Sequence, residues 1–105
     1  MTTLIRNGQI VNASKTFNAD LLIEDEKIVK IESEIAVKDG MEVIDAEGQF
    51  LLPGGIDVHV HLDLPMFNTV SSDDHYTGTK AAAFGGTTTV IDFVSQDSDD
   101  LLGCV

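Results

Sequence analysis

The segment Pro53-Gly54-Gly55-Ile56-Asp57-Val58-His59-Val60-His61-Leu62-Asp63 is the most informative stretch of the 105-residue sequence. Apolar and polar residues alternate strictly from Ile56 to Asp63. Successive side chains of a β-strand point to opposite faces of its sheet. The pattern therefore predicts a strand over residues 56–62 with one apolar face and one face made only of aspartate and histidine.

The polar face carries two histidines, His59 and His61, spaced two residues apart. At this spacing the two backbone positions are roughly 6–7 Å apart on the same face. Both imidazoles can then reach one ion through bonds of about 2.0–2.1 Å. We therefore predict that His59 and His61 are metal ligands. Asp57 and Asp63 share the face and are candidates for supporting the ligands or contacting a substrate, with an ordinary hydrogen-bonded carboxylate as the alternative for each.

A catalytic zinc ion commonly has three protein ligands and one open position. The third histidine of the chain, His75, falls near the start of a predicted helix, and we interpret it as a solvated residue on the helix surface. Asp92, near the end of a later predicted strand, is a weaker candidate for supporting the histidine pair.

A helix and a second strand follow the histidine strand. Residues 63–70 are predicted to form a loop, and Ser71 or Ser72 to cap a helix with Asp73 and Asp74 in its first turn. Gly85-Gly86 ends this helix, and the β-branched run 87–94 predicts a buried strand. A strand, a helix and a strand in this order imply two parallel strands. The histidines then lie at the C-terminal end of the first strand, where barrel enzymes build their active sites. A polar loop at 95–100 and a further helix from Leu101 complete the prediction.

Residues 1–52 contain short predicted strands separated by turn signals. The dipeptide Asn7-Gly8 predicts a hairpin between residues 3–6 and 9–11. A second hairpin is predicted between residues 19–23 and 27–31, followed by strands at 41–45 and 50–52. This pattern indicates part of a small β-sandwich, whose remaining strands lie elsewhere.

The charge composition excludes several classes of partner. Eighteen Asp and Glu residues against six Lys and Arg residues give a formal net charge of -12. Nucleic acids and anionic membranes recruit basic patches, so we expect neither as a partner. The single cysteine, Cys104, forms no internal disulfide and favours a cytoplasmic location, and the N-terminus lacks the apolar stretch of a signal peptide.

Three segments of the chain resemble one enzyme family. Residues 53–63 resemble the first-strand motif of cyclic amidohydrolases, and residues 77–93 look like the hydantoinase/dihydropyrimidinase branch. Residues 4–48 are similar to the N-terminal sandwich strands of that branch. The resemblance implies an α/β fold, in which residues 1–52 form part of a small β-sandwich. Residues 53–105 then begin a metal-dependent (β/α)8 TIM barrel that is incomplete in this chain.

The resemblance also implies a cofactor. The family has two divalent metal ions, commonly zinc, bridged by a carboxylated lysine and a hydroxide, and His59 and His61 match its two first-strand ligands. The bridging lysine, two further histidines and the aspartate that acts as general base are expected downstream, and Lys80 on the predicted helix is no substitute. We therefore expect no catalytic residue in this chain, and we expect the 105-residue chain alone to be inactive and poorly soluble. The full-length family is typically homotetrameric.

The expected reaction is the hydrolysis of dihydropyrimidines or 5-substituted hydantoins to N-carbamoyl amino acids. By resemblance, Leu64, Met66 and Phe67 line the substrate pocket; the alternative is that they pack the loop onto the barrel rim. Dihydroorotases place an arginine where this chain has Asp63, so a small neutral cyclic amide is the expected substrate. An allantoinase-like ureide hydrolase stays open. Two non-enzymatic alternatives are an interaction protein of the same family that lacks the metal site and a free-standing module that only binds metal.

Overall fold

The structure, a computed structural model, describes residues 1–66 and 68–93. The chain divides into two compact units, Met1–Pro53 and Gly54–Val105. Assignment of these units to a sandwich and a barrel stays a prediction. The predicted loop at 95–100, the helix expected from Leu101 and the last residue of the predicted strand, Val94, lie outside the described residues.

All residues of the first unit are described, and they form one five-stranded mixed sheet. Its strands are β1 (Thr2–Val11), β2 (Thr16–Glu24), β3 (Lys27–Glu32), β4 (Glu42–Asp45) and β5 (Phe50–Leu51). The order is β3-β2-β1-β4, with β5 also beside β1. The β2–β3 hairpin turns on Asp25 and Glu26, both at positive φ, which confirms the second predicted hairpin.

The hairpin predicted at Asn7-Gly8 is wrong. β1 continues through both residues without a turn, and its register against β2 shifts between Ile5 and Gly8. Asn7 has a φ of 56°, so it forms a β-bulge instead of a turn. The buried carboxylate of Asp20 accepts a 2.9 Å hydrogen bond from the Asn7 N–H and stabilises the bulge. Because the extra residue changes the alternation, Ile5 and Ile10 contribute to the same hydrophobic cluster.

The sheet of the first unit carries apolar clusters on both faces. One cluster contains Leu4, Leu22 and Ile35, with Met41 packed against it. The other contains Ile10, Ala19 and Leu21, with Ile5, Phe17, Ile23 and Leu51 packed against it. Consecutive residues Leu21 and Leu22 of β2 belong to different clusters, so the clusters lie on opposite faces. The strand-rich unit is consistent with the predicted sandwich, although sandwich sheets commonly have one apolar and one polar face.

The second unit contains a parallel strand pair connected by a helix. Its described elements are β6 (Gly55–Val60), β7 (Pro65–Met66), β8 (Thr69–Val70), α1 (His75–Phe84) and β9 (Thr87–Asp92). β6 pairs in parallel with β9, and α1 lies between them in the sequence. The predicted parallel strand–helix–strand arrangement is therefore present. The predicted loop 63–70 additionally contains the short antiparallel pair β7–β8.

The N-terminus of α1 differs from the prediction. The cap is Asp74, whose carboxylate accepts a 2.7 Å hydrogen bond from the Thr77 N–H, while the Thr77 hydroxyl accepts one of 3.1 Å from the Asp74 N–H. This reciprocal pair is a capping box, which neither Ser71 nor Ser72 forms here. The Ser71 hydroxyl instead accepts a hydrogen bond from the Leu64 N–H. Gly85 caps the C-terminus and Gly86 has positive φ, which confirms the predicted helix end.

The apolar side chains of the parallel pair are more exposed than the sequence predicts. Ile56 and Val58 on β6 are 65% and 64% exposed, and β9 is not the buried strand that its composition predicts. Within the described residues β6 and β9 form a sheet of two strands, whereas parallel sheets normally have both faces covered. Leu62, directly after β6, is less exposed, because the missing Cβ of Gly78 leaves room for its side chain against α1. None of the helices in the described part of the chain is long and apolar enough to cross a membrane.

Candidate metal centre

The two predicted ligands lie side by side at the C-terminal end of β6. His59 is in the strand and His61 directly follows it. Their Nε2 atoms are 3.1 Å apart, and their ring centroids are 5.0 Å apart with the planes inclined at 71°. The two imidazoles therefore present ring nitrogens to the same small volume, as the alternating pattern predicted.

The separation of the two nitrogens fits ligation of one ion. Two ligands with bonds of about 2.0–2.1 Å are roughly 2.8–3.4 Å apart when their mutual angle lies between octahedral and tetrahedral values. The observed 3.1 Å falls within this range. The same distance also fits one N–H···N hydrogen bond between two neutral rings. The geometry thus permits bidentate metal binding, and metal ligation by His59 and His61 stays a prediction.

Phe93 is a neighbour of the histidine pair that the sequence did not identify. Its ring centroid is 4.4 Å from that of His59 and 5.4 Å from that of His61. Val60 pairs with Asp92 across the two strands, so the residue after Asp92 lies beside the histidines. The parallel pairing of β6 and β9 was the signal that could have identified Phe93.

Asp92 contacts the backbone that follows His61. Its carboxylate oxygens are 3.3 and 3.4 Å from the Leu62 N–H, which donates to them, and one oxygen is 3.1 Å from Nε2 of His75. His75 is 66% exposed but is paired, so the prediction of a simply solvated histidine is corrected. Asp92 thus connects the end of β6 to the first residue of α1. These contacts involve the backbone after His61 and the ring of His75, and not the rings of His59 and His61.

The two flanking aspartates differ in their local structure. Asp57 is exposed, and its carboxylate accepts a 3.1 Å hydrogen bond from the backbone N–H of His59. Asp63 lies beyond the end of β6 at a φ of 49°, so strand alternation no longer determines where it points. The predicted strand through Leu62 is therefore too long, because the backbone turns and the Asp63 N–H donates to the Asp73 carbonyl. Substrate or ligand contacts of Asp57 and Asp63 stay predictions.

The residues predicted to line a substrate pocket lie in the loop after β6. Leu64 is buried, and its backbone N–H and C=O both bond to Ser71. Met66 lies in β7, and Phe67 is outside the described residues. Burial of Leu64 accords with the alternative role in packing the loop, and pocket lining by the three residues stays a prediction.

The electrostatic surroundings of the pair are acidic. Residues 54–93 contain five aspartates and one lysine, Lys80. The Lys80 ammonium lies 5.5 Å from the ring centroid of Tyr76, its neighbour on α1. Within residues 1–66 and 68–93, no group of three or more histidine, cysteine, aspartate or glutamate side chains is arranged to hold a metal ion. A site with further ligands therefore stays a prediction.

Comparison with known proteins gives strong matches over nearly the whole chain. The crystal structure of dihydropyrimidinase from Brevibacillus agri NCHU1002 superposes with a TM-score of 0.91 at 53% identity, covering 99% of this chain and 23% of that one. D-hydantoinase of Geobacillus stearothermophilus is 57% identical over 93 residues, which are 89% of this chain and 20% of the relative. This chain belongs to the hydantoinase/dihydropyrimidinase family. The resemblance seen in residues 53–63 and 77–93 is thereby confirmed.

The hydantoinase-family match concerns the N-terminal part of these proteins. Dihydropyrimidinase 2 of Caenorhabditis briggsae is 50% identical over 94 residues, which are 90% of this chain and 18% of the relative. The chain thus spans about a fifth of the length of the curated relatives it matches. No protein family model matches the chain.

Proposed function

We propose that this chain supplies the first two metal ligands, His59 and His61, of a hydrolase that opens cyclic amides. The observation that carries the proposal is the 3.1 Å approach of their Nε2 atoms at the C-terminal end of a strand in a parallel pair. The identity to a protein named D-hydantoinase directs the proposal towards 5-substituted hydantoins and dihydropyrimidines. The product would be an N-carbamoyl amino acid.

We further propose that β6, α1 and β9 form the first unit of a (β/α)8 barrel, with the sheet of residues 1–53 belonging to a β-sandwich. In such barrels the active site lies at the C-terminal ends of the strands, which is where His59 and His61 are found. The exposed Ile56 and Val58 support the proposal, since barrel strands carry apolar residues on the side that the surrounding helices cover.

The residues of this chain would bind the ions, and the remaining ligands would come from further sequence. When bound, two divalent ions, proposed to be zinc, lower the pKa of coordinated water and polarise the carbonyl of an amide. Net hydrolysis then forms a C–O bond at the carbonyl carbon, breaks the ring C–N bond and returns a proton to the nitrogen. His59 and His61 contribute to this reaction by presenting neutral imidazole nitrogens in a fixed relative position.

The charges of the second unit favour a neutral substrate. Five aspartates and one lysine in residues 54–93 produce a negative local field, which disfavours a carboxylate such as dihydroorotate. One of these five aspartates, Asp63, lies in the loop directly after the pair. Neutral rings, including hydantoin, dihydrouracil and allantoin, carry no such penalty.

A chimeric enzyme tests the proposal directly. Residues 1–93 of this chain would replace the homologous N-terminal part of Geobacillus stearothermophilus D-hydantoinase, with the unaltered relative as reference. We expect the chimera to contain metal by elemental analysis and to hydrolyse hydantoin and dihydrouracil more rapidly than dihydroorotate. His59→Ala and His61→Ala should each remove metal and activity, whereas His75→Ala should retain both.

Three outcomes would contradict parts of the proposal. A folded chimera without metal or activity would favour the non-enzymatic interaction protein of the same family. Faster hydrolysis of allantoin than of hydantoin would favour the ureide hydrolase, and preference for dihydroorotate would contradict the charge argument. The homotetrameric assembly and the cytoplasmic location stay predictions, to be tested by analytical ultracentrifugation of the chimera and by cell fractionation.

A further inference from the structure

Phe93 packs against both imidazoles of the histidine pair. Its ring is 4.4 Å from that of His59 at an inclination of 33°, and 5.4 Å from that of His61 at 41°. These centroid distances lie in the range of favourable aromatic contacts. A single side chain directly after β9 therefore restricts both rings at the end of β6.

The backbone holds Phe93 in this position from two sides. Its N–H donates to the carbonyl of Val60, at 3.4 Å, and to the carboxylate of Asp92, at 2.7 Å. Val60 lies between the two histidines in sequence, and the Asp92 carboxylate also accepts the N–H of Leu62 directly after them. The position of the Phe93 ring is thus coupled to the backbone on both sides of His61.

We propose that Phe93 is a positioning residue that keeps the two Nε2 atoms converged for metal binding. This inference rests on the proposed function of His59 and His61. A flexible side chain that becomes fixed on binding loses affinity by a factor of about 2–12. With Phe93 in place, part of this loss is avoided for two imidazoles at once. Removal of the aromatic ring should therefore weaken zinc binding by about 10-fold.

Zinc titration of the metal-free chimera described above tests the inference. Isothermal calorimetry with zinc chloride would compare the wild type with Phe93→Leu, Phe93→Tyr and Phe84→Leu. Phe84 is the matched control, because it is a phenylalanine of the same unit that is 87% exposed. We expect about 10-fold weaker binding for Phe93→Leu, wild-type affinity for Phe84→Leu and restored affinity for Phe93→Tyr. Circular dichroism would verify that each variant keeps the fold of the wild type.

A second measurement needs no metal. The ring current of Phe93 should displace the NMR signals of the carbon-bound ring protons of His59 and His61, and Phe93→Leu should remove this displacement. Unchanged signals in Phe93→Leu, or unchanged zinc affinity, would overturn the inference. A wild-type chimera that binds no zinc would instead refute the proposed function, and the ring-proton signals would still decide whether Phe93 orders the pair.

Discussion

Replacement of Asp20 should destabilise the first unit more than replacement of any exposed carboxylate. Asp20 is 4% exposed, and its two carboxylate oxygens accept 2.9 Å hydrogen bonds from the N–H groups of Asn7 and Ile35. These two bonds hold the bulge of β1 and the segment that covers one face of the sheet. The Arg6 guanidinium, 4.0 Å away, adds a weaker attraction.

The magnitude of the effect follows from these two bonds. A hydrogen bond to a charged group contributes about 1.5–3 kcal/mol, so two contribute roughly 3–6 kcal/mol. The net loss of stability in Asp20→Ala is smaller than this sum, because the variant no longer buries a carboxylate whose desolvation is unfavourable. We expect Asp20→Ala to lower the free energy of unfolding by about 2–4 kcal/mol. Asp20→Asn should be of similar effect, since its amide has one acceptor oxygen for two donors.

Hydrogen exchange provides the most specific assay. In Asp20→Ala the amide protons of Asn7 and Ile35 should exchange much faster than in the wild type, and urea denaturation followed by circular dichroism should show the global loss. Asp39→Ala, at an exposed position, serves as the control and should leave both quantities unchanged. A loss below about 1 kcal/mol for Asp20→Ala, with both amides still protected, would show that these two hydrogen bonds do not stabilise the bulge.

Three further predictions concern the second unit and the whole chain. Hydrogen bonds from the Thr77 N–H and hydroxyl hold the pKa of Asp74 below its ordinary value of 3.8. The Asp74 carboxylate therefore stabilises α1 fully above pH 3.8, and this stabilisation is lost as the pH falls through the lower pKa of the folded state. The helicity difference between wild type and Asp74→Ala should therefore narrow in acid, with Asp73→Ala as the control. Gly54→Ala should lower the free energy of unfolding by about 1–3 kcal/mol, because a Cβ there meets the Thr88 side chain, including its Cβ at 2.7 Å. Thermal melts would measure this loss, with Gly55→Ala as the control. Gly55→Ala should lower the free energy of unfolding by less, since the atom nearest to its Cβ lies at 3.3 Å. The purified 105-residue chain should show no hydrolysis of dihydrouracil or hydantoin by chromatography, and measurable turnover would contradict a two-ligand site.

The histidine pair and the parallel strands could be predicted because the relevant signals are local. Alternation in residues 56–61 determines which side chains share a face, and Gly85-Gly86 defines where the helix ends. The family resemblance extended the prediction beyond what alternation allows. The contact between Phe93 and His59 was not predicted because it depends on the register between two strands.

The errors arose where two local signals compete or where tertiary contacts decide. Asn7-Gly8 suits a tight turn and a bulge equally well, and the Asp20 carboxylate, distant in sequence, stabilises the bulge. Ser71, Ser72 and Asp74 are all good caps, and Thr77 three residues after Asp74 completes a capping box for that residue. His75 was expected to be free in solvent because its pairing with Asp92 requires the folded strand pair.

NMR of the histidine side chains during zinc titration determines whether His59 and His61 jointly bind one metal ion. We expect the Nε2 signals of His59 and His61 to shift together, with saturation at one ion per chain, whereas those of His75 stay in place. His59→Ala should abolish the response of His61 at the same zinc concentration. Independent shifts of all three histidines, or an undiminished response of His61 in His59→Ala, would contradict joint binding.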